Sequence, residues 1–325
     1  HTIVEKQYQT HAIEHNFIEP DAGAGYVDED GTLVIYASTQ NPHYDHKEVV
    51  DLLALEENQV RIIQAATGGG FGSKLDMNVQ GFIGLALYHL KRPVRCVYTR
   101  EESYLATAKR HPFVLNMKSG SDTNGKLLAL NMRAYCNTGA YGSYGIAVAT
   151  RTAVHGTGPY VIEHVDMECA CVYTNQTFSG AMRGFGAPQM AFAHESQMDL
   201  LAEKLGVDPM DIRVINGFKK GSINGTGQKL VESVGFQECL KQVKPYYDQA
   251  SKEWVSKKIS PFIKRGVGLG SMWYGIGNTG VQNPSTARVE MDPKGHITLF
   301  TGCADIGQGS TTVLTQIAGE VLGVS

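Results

Sequence analysis

The order of elements written in the sequence predicts an α+β fold, with mixed sheets and flanking helices. Two observations carry this. Residues 31–103 alternate strand-like and helix-like patterns, and residues 111–137 hold two strand-like runs around an Asn-Gly turn. A third observation points to a ligand: three glycine turns, Gly68–Gly72, Gly184–Gly186 and Gly307–Gly309, each lead into a helical pattern.

Taken in order, residues 1–30 mix short strand-like pieces with a turn at Asn16–Pro20. Gly31 to Thr39 alternates, with Leu33, Ile35 and Ala37 on one side, as a half-buried strand does. Pro42 is expected to hold off a helix at once, and His43 to Glu56 then reads as helical. Val60 to Ala65 reads as a buried strand, Asp76 to about Lys91 as a helix, Pro93 to Tyr98 as a strand, and Arg100 to Ser103 as the opening of a short helix. This stretch alone argues for an α/β arrangement. His111 to Ser119 and Lys126 to Asn137 form a predicted hairpin across Asn124-Gly125. Val165 to Tyr173 is a further strand. Gln189 to Leu205 has helical spacing and stops at Gly206, and Asp208-Pro209 starts the next helix with an N-cap aspartate and a proline at the first position. Residues 219–233 read as a surface loop and Phe236 to about Ser256 as an amphipathic helix. Lys257 to Arg265 reads as a connection. Strands are expected at Gly266–Tyr274, Thr286–Met291 and His296–Thr301, and a helix at Gln308–Leu322. The domain division expected is 1–260 and 261–325, the second incomplete.

With 42% hydrophobic and 19% charged residues, the 325-residue chain has the composition of a soluble globular protein. A formal net charge of -3 gives no ground for a nucleic-acid or anionic-membrane partner. No apolar run reaches the roughly 18 residues that span a bilayer. The six cysteines form no Cys-x-x-Cys pair, so zinc, iron–sulfur and redox signatures are absent and a reducing, cytoplasmic setting is expected. Cys169 and Cys171 read as a chance pair of buried small residues. No signal peptide opens the chain, which starts at His1, so a preceding segment is expected.

Four glycines in five residues around Phe71 suit a place where a ligand touches backbone or φ turns positive. Strand, glycine turn and helix N-terminus together offer bare N–H groups to an anion. The stretch is not a P-loop, because Ser73 precedes Lys74 and Leu75 follows it, and its glycine spacing is not that of a dinucleotide fingerprint. By itself it serves equally as a tight packing turn. Arg183, between small residues, would clamp an anion with its forked guanidinium or pair with a surface carboxylate. Gln40 and Gln308 alone read as surface amides.

Together these segments resemble the molybdenum hydroxylases, the family of xanthine dehydrogenase and aldehyde oxidase. The matching pieces are Ser38–Asn41, Gly68–Lys74, Pro93–Arg95, Arg110–Phe113, Ala181–Gln189 and Gly307–Gly309, in family order over nearly the whole chain. The resemblance implies the molybdopterin-binding subunit of such an enzyme, carrying molybdenum on a pterin dithiolene, as the cytosine dinucleotide in most bacterial members. No protein atom would ligate the metal directly. Gln40 would hydrogen-bond a metal ligand, and Phe71, with Gly69, Gly70 and Gly72, would lie against the metal and cofactor. Arg183 and Gly184 would present backbone and guanidinium to cofactor ligands, and Gly307, Gln308 and Gly309 would meet the pterin dithiolene. Gln40 and Arg183 would be the catalytic pair here, while Phe185, Arg151 and Leu75 would stand in the substrate pocket.

The implied reaction is hydroxylation of an electron-poor carbon with oxygen from water, two electrons leaving to iron–sulfur clusters and FAD on partner chains. The family's general base is a glutamate beyond Ser325. The chain is therefore expected to be a fragment or one piece of a split molybdenum subunit, as in nicotinate dehydrogenase, completed by a second molybdopterin subunit or C-terminal half. Purine-oxidising members place a glutamate where Leu75 stands, yet Arg151 keeps an arginine that aldehyde oxidases typically lack. That combination suits an acidic N-heteroaromatic substrate. The alternatives are an aldehyde oxidoreductase of the same family, a cofactor-free scaffold subunit, and a glycine-rich nucleotide-binding module.

Overall fold

The computed structural model describes residues 1–253, 260–277, 282 and 284–324. Strands β1 (Thr2–Gln9), β2 (Ala22–Val27) and β3 (Leu33–Ala37) precede helix α1 (Pro42–Leu53). Next come β4 (Val60–Gln64), α2 (Val79–Leu90), β5 (Val94–Val97) and α3 (Arg100–Ala106). The middle of the chain supplies β6 (Lys109–Arg110), β7 (Phe113–Ser121), β8 (Leu127–Gly139), α4 (Gly145–Val154), β9 (His164–Tyr173) and β10 (Ser179–Gly180). Then follow α5 (Ala187–Leu205), α6 (Pro209–Asn216), α7 (Phe236–Glu253), β11 (Ala287–Met291), β12 (Ile297–Thr301) and α8 (Ser310–Leu322).

Both larger sheets are mixed, as the α+β reading requires. One runs β4-β3-β2-β5, with β3 and β4 parallel and the other neighbours antiparallel. Leu33 and Ile35 pack there against Val49 of α1 and Val79, Ile83 and Leu87 of α2. Gly23 and Gly25 make the close approach of α2 to β2 feasible, since a Cβ on either would lie 2.7–2.8 Å from Ile83 or Leu87. The other sheet runs β1-β7-β8-β9, with β8 and β9 parallel. Its buried face (Phe113, Leu115, Leu130, Met132) packs with Val148 of α4 and Met190 and Ala193 of α5.

The predicted hairpin across Gly125 is present as β7–β8. Helix α6 begins as read, with the Asp208 carboxylate accepting from Met210 N at 2.7 Å and Pro209 in the first turn. Four expectations change. Pro42 does not delay its helix. It occupies the first turn of α1, where its missing N–H costs nothing, and Asn41 caps that helix from outside. The helix expected at Asp76 starts only at Val79, after a single 3₁₀ turn over Ser73–Leu75. Helix α4, unread in the sequence, is the crossover that the parallel β8–β9 pair demands. Residues 266–274 form no strand, because their polar groups are taken by side chains. Arg213 donates to Leu269 O, and Glu195 accepts from Ser271 N. Residues 254–256 of the predicted α7 and 257–259 of the predicted connection lie outside the described residues.

Topology brings the site residues together. β3 and β4 are parallel with Ala37 opposite Gln64, so Gln40 and the first glycine turn leave the sheet at the same end. The short parallel pair β6–β10 delivers the second turn at Ala181.

Candidate cofactor site

The two glycine-aromatic turns are built alike and lock together. In the first, Gly69, Phe71 and Gly72 have φ of 92°, 52° and 112°. In the second, Gly184, Phe185 and Gly186 have φ of 97°, 52° and 95°. A phenylalanine at positive φ is strained and persists only where its surroundings over-determine it. Here the surroundings are the other turn: Arg183 N donates to Phe71 O at 2.9 Å. Arg110 donates to Arg183 O at 2.9 Å, and Gln189 ties the base of the second turn to His111 O. Fully buried Lys74 pairs with Glu19 at 2.8 Å, and that carboxylate also accepts from Gly68 N at 2.6 Å.

Gln40 is oriented by this scaffold. Its Oε1 accepts from Gly72 N at 2.8 Å, so its NH₂ is the end left to donate. Gly70 has no room for a side chain, since an added Cβ would strike the Gln40 amide. A cavity of about 920 Å³ opens between the turns. Of the residues read from the sequence, Gln40, Gly70, Phe71, Gly72, Leu75, Arg151, Arg183, Gly184, Phe185, Gly307 and Gln308 line it. Gly69 and Gly309 do not: Gly69 backs onto Phe71 and Phe17, and Gly309 caps α8.

Its charge is one-sided. Two arginines and no acidic residue stand among the described lining residues. The Arg183 guanidinium is exposed and makes no hydrogen bond or ion pair with any described residue, so the surface-carboxylate alternative is not what the chain does. Arg151 is buried and, among the described residues, held by neutral groups. It donates to Gly275 O at 3.3 Å and Gly277 O at 2.6 Å, over the Tyr274 ring at 4.5 Å. Helix α5 rises from the second turn without a side-chain cap, adding the positive end of its dipole. The first turn lacks this contribution, because α2 starts farther on.

The third turn differs from expectation in another way. Its amides are already satisfied by the Asp305 carboxylate, which accepts from Gly307 N at 3.0 Å and Thr311 N at 3.0 Å. The Gln308 amide is folded onto its own loop, Oε1 accepting from Ile306 N and Nε2 donating to Ala304 O. Gln64 anchors that loop by donating to Asp305 O at 2.9 Å.

Sequence reasoning passed over Tyr144, Asn41, Met182 and Tyr274, which also line the cavity. Tyr144 meets Phe185 edge to face at 5.9 Å. Behind it, Ser143 donates to buried Asp76 at 2.7 Å, joining the Leu75 loop to the start of α4. Burial pushes the Asp76 carboxyl up to about 6 despite that bond. Asn41 and Met182 stand inside segments already singled out, whereas Tyr144 and Tyr274 carry no local signal, because only the fold brings them to the cavity. Among the described residues no cluster of His, Cys, Asp and Glu is placed to hold a metal ion, and the six cysteines are free thiols. Cys171 is exposed, contrary to the buried pair expected, because only Cys169 packs toward the core. No helix among the described residues is long and apolar enough to cross a membrane.

Comparison with known proteins agrees with this geometry. Residues 1–217 and 241–325 each match a family model described as a molybdopterin cofactor-binding domain. The nicotinate dehydrogenase large molybdopterin subunit of Eubacterium barkeri is 50% identical over 242 residues, 74% of this chain and 57% of that protein. The xanthine dehydrogenase molybdenum-binding subunit of Escherichia coli O157:H7 is 33% identical over 331 residues, 99% of this chain and 43% of that one. Among solved structures, the aldehyde oxidoreductase from Desulfovibrio desulfuricans superimposes with a TM-score of 0.91 at 32% identity, over 99% of this chain and 36% of that chain. The chain thus spans about half the length of the curated relatives it matches. With residues 1–217, two thirds of the chain and both interlocked glycine turns, matched by that family model, this chain belongs to the molybdopterin cofactor-binding domain family.

Proposed function

We propose that this chain is the cofactor-holding part of a molybdenum hydroxylase whose substrate is a carboxylated N-heteroaromatic compound. The observation that carries the reading is the cavity itself: uncharged glycine backbone, two arginines and no described acidic residue. An anionic group rich in oxygen and sulfur fits such walls, and the turns pack this closely on Gln40 and on each other only because Gly70 and Gly72 lack a Cβ. When bound, the molybdenum–pterin group supplies the two-electron redox chemistry by which water becomes the source of a hydroxyl oxygen.

This chain's own residues bind and orient. Gln40, with its carbonyl fixed by Gly72 N, directs an NH₂ donor toward ligands of the metal. Arg183 presents its unpaired guanidinium to the cofactor's anionic oxygens, a charge-assisted contact. Gly70, Phe71, Gly184 and Gly307 supply close backbone. Gln308 reaches the cofactor after exchanging a bond within its own loop. Phe185, steadied by Tyr144, offers a ring face to a flat substrate, and Leu75 closes the pocket with an apolar wall. Arg151, buried without a carboxylate partner, would receive a substrate carboxylate. The 50% identity to a nicotinate dehydrogenase subunit supports an acidic heterocycle. Leu75 and the fold match to an aldehyde oxidoreductase favour aldehydes as the second reading. Further chains would complete the site and carry electrons through iron–sulfur clusters and FAD. The cytosine dinucleotide form of the cofactor and a cytoplasmic setting are part of the same proposal.

The direct test is metal and pterin analysis of the complex purified from its native source. About one molybdenum and one pterin per copy of this chain are expected, with CMP released on acid hydrolysis. An intact complex holding neither would leave only a scaffold role. For the substrate, Arg151→Met in the assembled enzyme should raise KM for a carboxylated heteroaromatic by about 30-fold. That is the loss of roughly 2 kcal/mol expected for a charge-assisted contact. An unchanged KM would remove the anionic-substrate reading.

A further inference from the structure

Residues 269–277 form a strap that crosses from α6 to the cavity. None of its residues makes a backbone–backbone hydrogen bond to another described residue, so among these residues side chains decide where it lies. One end is pinned at Ser271, whose N–H and hydroxyl both reach Glu195 at 2.9 and 3.1 Å. The far end holds Arg151 through the carbonyls of Gly275 and Gly277. The link between strap and helix is His155. Its Nε2 lies 3.1 Å from Gly275 N, which donates to it, and its Nδ1 lies 2.7 Å from Arg151 O. An acceptor at Nε2 and a donor at Nδ1 describe one neutral tautomer. The ring stacks on Trp273 at 4.5 Å and lies 5.6 Å from Tyr274, whose own ring carries the Arg151 guanidinium. Burial, and then the neighbouring Arg151 and His194 charges, hold the imidazole below its ordinary pKa against the pull of the Arg151 carbonyl. The neutral form is therefore the resident one.

We infer that His155 is a positioning residue for substrate selection. It fixes the strap against α4, and the strap fixes the Arg151 guanidinium at the cavity wall. The inference rests on the reading of Arg151 as the receiver of a substrate carboxylate. It adds that the carbonyls orienting that arginine are themselves set by one histidine a helical turn away. His155 does not itself line the cavity; it acts there through the strap whose carbonyls hold Arg151.

The test uses the assembled, cofactor-loaded enzyme. His155→Phe keeps a ring for stacking and removes both hydrogen bonds. It should raise KM for a carboxylated heteroaromatic about tenfold, leave kcat within twofold, and leave KM for an uncharged analogue within twofold. Combined with Arg151→Met, it should add nothing beyond Arg151→Met alone, because the two act on one contact. Equal losses on charged and uncharged substrates, or effects that multiply in the double variant, would overturn the positioning role while leaving Arg151 as the carboxylate receiver. An Arg151→Met enzyme with normal KM for the acid would instead overturn the reading beneath it. Should His155→Phe fail to assemble, Trp273→Leu serves, since that ring stacks on His155 at 4.5 Å and does not line the cavity. The same selective rise in KM is expected there, and a rise shared by both substrates counts against the inference.

Discussion

Gly72→Ala is expected to abolish cofactor retention, reducing molybdenum and pterin to below about a tenth of the wild-type content. Two separate penalties meet at this position. Gly72 has φ 112°, where an L side chain is strained by roughly 1–3 kcal/mol. A Cβ there would also lie 2.5 Å from Ala181 O and 3.0 Å from Met182 Cα. Those atoms are backbone and cannot swing away, so overpacking adds about 1–3 kcal/mol more. The strain is relieved most cheaply by parting the two turns, which breaks the Arg183 N to Phe71 O bond and misplaces Gln40. Gly31→Ala separates the two causes, because Gly31 has φ 88° with nothing within 4 Å of a built Cβ. It should lower stability by a similar strain term and keep full cofactor. Normal metal content in Gly72→Ala would mean that the interlock of the turns is not what holds the site.

The largest loss of fold stability should come from Glu195→Ala. Arg213 is fully buried, and its Nε donates to Glu195 at 2.9 Å. Glu195 also accepts from Tyr160 at 2.6 Å and from Ser271, with His194 Nδ1 at 3.0 Å. Removing the carboxylate strands a buried guanidinium, with half-exposed Asp199 its one remaining ionic partner among the described residues, at a cost of about 3–5 kcal/mol. Burial alone would push the Glu195 carboxyl up. The hydrogen bond and charge of His194, the Arg213 charge and the Tyr160 hydroxyl outweigh it and hold the group at about 2. The folded value lies below the unfolded one. The stabilisation is thus complete above about pH 4.5 and drains away as pH falls toward 2, on the order of 3 kcal/mol in all. Urea midpoints at pH 7 and pH 3 should therefore differ more for wild type than for Glu195→Ala. Equal pH slopes would show that the carboxylate is not the group responsible.

Elements with a strong local signal were legible in the sequence. Asp208-Pro209 marked the start of α6, and Asn124-Gly125 marked the hairpin, because the physics of caps and tight turns is local. The first two glycine turns were legible as tight turns for the same reason, but each alone serves equally for packing, and only their joint occurrence in order pointed to a site. What could not be read depends on distant partners. The segment 266–274 has strand-like composition, yet Arg213 and Glu195 claim its polar groups from far along the chain. The Gln308 amide faces its own loop, and the Asp305 carboxylate occupies the third turn, through contacts that spacing does not encode. Helix α4 escaped notice because its polar and apolar positions (Thr150, Arg151, Thr152 beside Val148 and Ala149) are set by a site on one side and a sheet on the other.

The cavity walls come from segments near residues 40, 70, 144, 183 and 307, so the chain separating its first and last walls is most of its own length. During synthesis at about 5–20 residues per second, Gln308 follows Gln40 out of the ribosome by roughly 15 to 50 seconds. The β4-β3-β2-β5 sheet has time to form in that interval, while the cleft beside it still lacks one side. A large, fragile cofactor delivered during translation would meet an unfinished cleft. Closure of the cleft therefore waits for Gln308 to emerge, and a group that fills it meets protein already folded around Gly70 and Gly184 instead of a nascent segment.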